Sequence, residues 1–158
     1  MPSFTTTRQV DHSAEQMFNL VADVEKYPEF LPMCEALVIK SQTQKDDKTL
    51  FIADMSVGYK MISETFTTRV LLSPSEQRID ASYIDGPFKY LENRWRFIAD
   101  ENDPMKCNIE FFIDYEFKNK MLGLLMGSMF DIAFRKFTDA FESRADAIYK
   151  STSRHVDT

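Results

Sequence analysis

Met121-Leu122-Gly123-Leu124-Leu125-Met126-Gly127-Ser128-Met129-Phe130-Asp131-Ile132-Ala133-Phe134-Arg135-Lys136-Phe137-Thr138-Asp139-Ala140-Phe141-Glu142-Ser143-Arg144-Ala145-Asp146-Ala147-Ile148-Tyr149 runs without a proline. Gly123, Met126, Phe130, Phe134, Phe137, Phe141, Ala145 and Ile148 recur at steps of three or four, which is the spacing of one helical face. Asp131, Arg135, Lys136, Asp139, Glu142 and Asp146 fall away from that stripe. The stretch therefore predicts one long amphipathic helix from about Met121 to Tyr149. A phenylalanine stripe of this length has to be covered, so everything upstream is read for the surface that covers it.

From Glu35 to Lys118 the period changes from helical to alternating. Strands are predicted at Ala36–Thr43, Thr49–Val57, Lys60–Leu72, Gln77–Tyr83, Tyr90–Ala99 and Lys106–Phe117. They are separated by Lys45-Asp46-Asp47, Gly58, Ser73-Pro74-Ser75, Asp85-Gly86-Pro87 and Asp100-Glu101-Asn102-Asp103-Pro104. Connections this short suit an antiparallel meander, and long strands coil strongly. Phe4–Val10, alternating and threonine-rich, is a further strand. Ser13-Ala14-Glu15-Gln16 carries the capping-box pattern, and Met17, Phe18, Leu20 and Val21 continue it as a short helix to about Asp23. Val24–Leu31, holding Pro28, reads as a second short helix or turn.

The fold class that follows is α+β, a curved seven-stranded antiparallel sheet wrapped round a long C-terminal helix, with two short helices after strand 1. Residues 1–150 are expected to form a single domain and the polar stretch 151–158 a frayed tail. A bent sheet around one helix leaves space between the layers, expected toward the N-terminal half of the helix. Alternation puts Ile109, Phe111, Ile113, Tyr115 and Phe117 on the inner face, with Leu91, Trp95, Phe97, Phe51, Met55, Val57, Ile62, Phe66 and Val70. Glu64 is in phase with this apolar set. A carboxylate there is either a polar anchor for a ligand head group or a rim position near solvent. Met121, Leu124, Leu125 and Ile132 lie off the helical stripe. They are either an exposed patch for a membrane or ligand entry, or residues covered by the loops at Tyr27–Leu31 and Gly86–Phe88.

Composition narrows the chemistry. The 158 residues carry fourteen Phe and nine Met but four Gly, side chains that line an irregular apolar cavity as readily as they fill a core. The net charge of −6 repels phosphate backbones, so DNA is not an expected partner. Cys34 and Cys107 make no CxxC pair, and His12 and His155 have no metal-ligand spacing around them, so neither a metal nor a catalytic set is expected. Tyr59, Glu64, Arg69 and Tyr115 are what a cyclase would have to use. The longest near-apolar run, the ten residues Met121–Phe130, falls short of the roughly twenty needed to span a bilayer. No signal peptide is read at the N-terminus, and a soluble cytoplasmic protein, peripheral at the inner face of the cytoplasmic membrane, is expected.

Four stretches resemble a known family. They are Ser13 to Phe18 with Leu20 to Cys34; Val57-Gly58-Tyr59-Lys60 leading to Phe66-Thr67-Thr68-Arg69-Val70; Asp85-Gly86-Pro87-Phe88-Lys89-Tyr90-Leu91 with Trp95; and Tyr115-Glu116-Phe117-Lys118 through Ala140-Phe141 to Arg144-Ala145. Together they resemble the coenzyme Q-binding protein and ribosome-association toxin group of the START-like polyketide cyclase/dehydrase and lipid transport superfamily. The resemblance implies the START/Bet v 1-like helix-grip fold. It also implies binding of ubiquinone or a related polyprenyl lipid, as a ligand and not a cofactor, in support of respiratory electron transport and quinone biosynthesis. The alternative it implies is a toxin that binds a ribosomal subunit and blocks subunit joining, which predicts a basic face built from Lys40, Lys45, Lys48, Lys60, Arg69 and Lys89. A polyketide or aromatic cyclase is the third reading, since a shared fold carries no activity. The candidate lipid-binding residues are Tyr27, Phe30, Leu31, Met55, Val57, Ile62, Glu64, Phe66, Phe88, Leu91, Trp95, Phe111, Tyr115, Phe117, Met126, Phe130, Phe134 and Phe137.

Overall fold

The computed structural model describes residues 3–59 and 61–150, with the side chains of Tyr59 and Lys150 left aside. Lys60, His155 and the tail 151–158 lie outside the described residues. β1 (Ser3–Val10) leads into α1 (Ala14–Ala22) and a 3-10 helix (Val24–Glu29). The capping box forms: the Ser13 hydroxyl accepts from the Gln16 backbone N–H at 3.1 Å, and the Gln16 side chain accepts from the Ser13 N–H at 3.0 Å. Two donors that a helix start leaves open are thereby satisfied. Met17, Phe18, Leu20 and Val21 turn inward as their spacing requires. Pro28, inside the 3-10 helix, cannot donate to an α-helical ladder and keeps the segment short.

The meander follows as β2 (Cys34–Lys45), β3 (Lys48–Tyr59), β4 (Ile62–Ser73), β5 (Arg78–Asp85), β6 (Phe88–Ala99) and β7 (Cys107–Phe117). All seven strands pair antiparallel in the order β1-β7-β6-β5-β4-β3-β2. Several strands run past the sequence-read ends because the ladders continue into the hairpins; Lys45 pairs with Lys48 across a two-residue turn in which Asp46 takes a φ of 57°. Gly86, at φ 140°, closes the β5–β6 turn where a Cβ would come within 2.6 Å of the Phe66 Cβ. Only glycine allows that approach.

α2 (Lys120–Ala145) starts at Asn119, whose side chain accepts from the Leu122 N–H at 2.9 Å. It packs on α1, β7 and β1, burying Met126, Phe130, Phe134, Phe141 and Ala145 of the predicted stripe. Ile148 leaves the stripe and is 39% exposed, because the helix widens to a π turn over Asp146–Lys150 and shifts its phase. Tyr149 turns in instead, its hydroxyl donating to the Gln16 carbonyl at 3.1 Å. Arg8 of β1 reaches Asp139 at 2.6 Å and Glu142 at 3.1 Å, and Arg144 reaches Glu29 at 2.8 Å, so α2 is tied to both the sheet edge and the 3-10 helix.

Candidate functional site: an apolar cavity under α2

Between the inner face of the sheet and α2 lies a cavity of about 110 Å³. Its origin is a band of small side chains set among large ones. Ala53 on β3 is opposite Thr68 on β4, Ala81 on β5 is opposite Asn93 on β6, and Ala133 of α2 lies over them. Around the band stand Phe51, Phe66, Val70, Ile79, Leu91, Trp95, Phe111, Ile113, Phe130, Phe134 and Phe141. Large side chains cannot lean inward far enough to fill the gap without leaving their rotamers, so a void remains. The half-buried Met33, Leu37, Met55 and Phe137 form a mouth on the β2–β3 side, away from the strands that α2 packs on; Tyr27, Pro32, Ala81 and Asn93 are the other half-buried residues of the lining.

Of the sequence-predicted set, Tyr27, Leu31, Met55, Val57, Phe66, Leu91, Trp95, Phe111, Phe130, Phe134 and Phe137 line this cavity. Phe30, Ile62, Glu64, Phe88, Tyr115, Phe117 and Met126 do not. The space was expected toward the N-terminal half of the helix, and this is corrected: α2 lines it from Met129 to Phe141. The reason is a ring cluster at the foot of the helix. Phe88 lies 5.0 Å from Phe117, 5.3 Å from Phe130, 5.4 Å from Phe66, 5.7 Å from Tyr83 and 5.8 Å from Tyr115, centroid to centroid. With Met126 1% exposed beside them, that end is solid. Phe30 sits outside the wall, 5.3 Å from Phe141 and under the Arg144 guanidinium at 5.2 Å. Glu64 shares a face with its partner Val57, as alternation predicts, but lies near the start of β4 as a half-buried rim residue, along with Ile62.

Sequence reasoning missed Ala53, Thr68, Ala81, Asn93, Met129 and Ala133. The signal was there: small or polar residues at inward-facing positions of an otherwise bulky alternating pattern mark where a layer cannot close.

The polar inventory of the lining is short. The Asn93 amide donates to the Phe112 carbonyl at 2.9 Å and accepts from the Trp95 indole N–H at 3.1 Å. The Tyr27 hydroxyl donates to the Val21 carbonyl, and burial among apolar groups raises its ionisation well above the ordinary phenol value, with Cys34 and Asp23 adding to the shift. Thr68 supplies a hydroxyl. Tyr27 is the only ionisable side chain in the lining, and it is held neutral. His12 is buried and bonded to Asp146 at 2.7 Å, between β1 and the end of α2 and away from the cavity. Burial pushes the Cys34 and Cys107 thiols up to about 11, so both are weak nucleophiles at neutral pH.

At the foot of the molecule Met121, Leu124 and Leu125 are 70%, 85% and 55% exposed, and Met61 in the β3–β4 turn is 98% exposed. The loops do not cover them; Ile132 alone of that group is half-buried. β4 and α2 both start at this end and meet at Phe66 and Phe130, so the two exposed segments lie at one level. Of the basic residues expected to form one face, Lys45 and Lys48 are cross-strand partners on the β2–β3 hairpin, while Lys89 lies apart on β6. Lys40 pairs with Asp54 at 3.6 Å, Lys48 with Glu76 at 2.8 Å and Lys89 with Glu116 at 3.6 Å, the first two on β2 and β3 and the third at the start of β6.

A curved antiparallel sheet gripping one long helix over an apolar cavity defines the helix-grip class of ligand-binding proteins. Residues 10–142 match the family described as polyketide cyclase / dehydrase and lipid transport, and the chain belongs to that family. It is 39% identical over 151 residues to the ribosome association toxin RatA of Escherichia coli strain K12, covering 96% of this chain and 91% of that protein. It is 30% identical to the mitochondrial coenzyme Q-binding protein COQ10 homolog B of Xenopus laevis, covering 92% of this chain and 59% of that protein. The Zhui aromatase/cyclase from Streptomyces sp. R1128 has the same fold, with a TM-score of 0.74 at 18% identity, over 92% of this chain and 93% of that one.

Proposed function

We propose that the chain binds a neutral, largely apolar lipid in this cavity, with ubiquinone or a related isoprenoid quinone as the ligand, and acts as a carrier or chaperone supporting respiratory electron transport and quinone biosynthesis. The observation that carries the reading is the lining: apolar on nearly every side, with Asn93, Thr68 and Tyr27 as its polar groups and no charged side chain. An ionised fatty acid buried here would have no counter-charge, whereas a quinone brings only neutral oxygens. The name of the COQ10 homolog supports the same class. The quinone enters as a ligand and not as a cofactor, and the protein is a binder and not a catalyst. The cavity offers no nucleophile or base at a working ionisation state, and the likeness to an aromatase/cyclase is one of fold. Turnover of an aromatic polyketide would overturn that part.

The working place is the cytoplasm, with transient contact at the inner face of the cytoplasmic membrane. No helix among the described residues is long and apolar enough to cross a bilayer. Met61, Met121, Leu124 and Leu125, with Lys118 and Lys120 beside the start of α2, form the surface that would touch lipid. Lipid extraction of the purified protein followed by mass spectrometry is expected to find quinone. A protein that is empty and takes none up from vesicles would refute the reading.

The second reading, association with a ribosomal subunit, draws on the name of the RatA relative. One surface suits it: Arg78, Arg94 and Arg96 gather with Thr5, Thr7 and Glu110 on the outer face of the sheet; Arg78 pairs with Asp80 at 2.9 Å and Arg96 with Glu110 at 3.3 Å, and Arg94 lies over the Phe112 ring at 4.4 Å. Co-sedimentation with ribosomal subunits that is lost in Arg94→Glu is its expected signature.

A further inference from the structure

The cavity is asymmetric along its depth. The mouth, at Leu37 and Met55, is on β2 and β3, while Asn93 is on β6, three strands away from β3 and so about 14 Å across the sheet. The mouth side is lined by Met33, Met55 and Leu37, flexible and fully apolar. The far side holds the amide of Asn93, which is oriented by two bonds: its Oδ1 accepts the Trp95 indole N–H, and one of its N–H bonds goes to the Phe112 carbonyl. The second N–H has no acceptor among the described residues. Asn93 is half-buried, so that second N–H is answered either by water or by an acceptor on a ligand in the cavity. The volume of about 110 Å³ is smaller than the roughly 150 Å³ of engineered cavities that admit a single benzene ring, so a substituted quinone ring would have to push aside the flexible methionines of the mouth as it seats.

We propose that the ligand enters polar end first, seats its ring against Asn93 with a ring oxygen on the second N–H of that amide, and leaves its tail along the methionine-lined mouth. The inference rests on the quinone-carrier reading and makes Asn93 the residue that selects a hydrogen-bond acceptor over a plain hydrocarbon. A tail-first arrangement would put methylenes against that N–H and leave it unanswered.

Trp95, the single tryptophan of the chain, is a reporter already in place, since its indole bonds to Asn93. Decylubiquinone and a longer hydrocarbon that has no carbonyl, squalene, are titrated into the wild type and into Asn93→Leu, reading Trp95 fluorescence. Head-first seating predicts strong quenching by decylubiquinone in the wild type. It also predicts about tenfold weaker decylubiquinone binding in Asn93→Leu with squalene binding unchanged. Asn93→Leu also strips partners from the Phe112 carbonyl and the Trp95 N–H, so infrared spectra of quinone bound to the wild type give a test that needs no variant. A carbonyl band moved to lower frequency supports the hydrogen bond. Unshifted carbonyls, binding without quenching, or equal affinity in Asn93→Leu would overturn the orientation while the carrier reading stands. A wild type that binds no decylubiquinone would overturn both.

Discussion

At the foot of α2, Phe88 is surrounded by five other rings, Phe130 of the helix among them, and is 1% exposed; less than one turn beyond Phe130, Ala133 faces open space. Both regions are made by the same sheet, the same helix and the same aromatic-rich composition. They differ in what stands between the aromatics. At the foot, ring meets ring in edge-to-face and stacked pairs, the geometry that aromatic quadrupoles favour. In the middle, Ala53, Thr68, Ala81 and Asn93 put short side chains inward at neighbouring positions on four strands. The protein is solid at one end and hollow at its centre because of that short list of small residues.

The largest expected effect breaks the solid end. Phe88→Ala should cost about 3–5 kcal/mol of stability in urea unfolding, because it removes a fully buried ring and leaves a cavity. A loss below 1 kcal/mol would mean that the cluster is loosely packed and the two regions are alike. Next comes the converse change, Ala81→Leu, which fills the hollow. Decylubiquinone binding should fall at least tenfold while the melting temperature holds or rises, since the added methyls meet space and not neighbours. A drop of several degrees would show that the hollow closes in solution.

Smaller effects sharpen the comparison. Leu124→Lys or Leu125→Lys should slow transfer of quinone between vesicles severalfold with unchanged unfolding, as both side chains stand in solvent. Unchanged transfer rates would remove the membrane-contact proposal. Smallest is the alkaline response of the thiols. Burial raises Cys34 and Cys107 from the usual 9.0 to about 11, so the folded state favours the protonated form. That contribution is intact below pH 9 and is lost as pH rises toward and past 11. Cys34, beside the mouth, should react with a thiol reagent at pH 8 before Cys107, which is fully buried at the start of β7. Equal rates would mean that the two regions open together.

Much of the arrangement was legible before any coordinates. The helical stripe from Met126 to Phe141, the capping box at Ser13 and the alternation of β7 are local patterns, and each holds. The site was legible in part, for a physical reason. Alternation says which face a side chain occupies but not how far along a strand it meets the other layer. Glu64 therefore took the predicted face at the rim, one of the two positions alternation left open, and Phe88, Tyr115, Phe117 and Met126 faced inward into a plug and not a pocket.

By itself the sequence determined the elements, their order, the antiparallel pairing and the apolar character of the interior, because periodicity, turn chemistry and capping act between residues a few positions apart. Only the tertiary structure decided where the interior is empty, which of its polar groups still has a bond to give and which apolar residues stay in water. Those depend on register across several strands and on how α2 crosses them. Such contacts join residues tens of positions apart, and no local pattern encodes their distance.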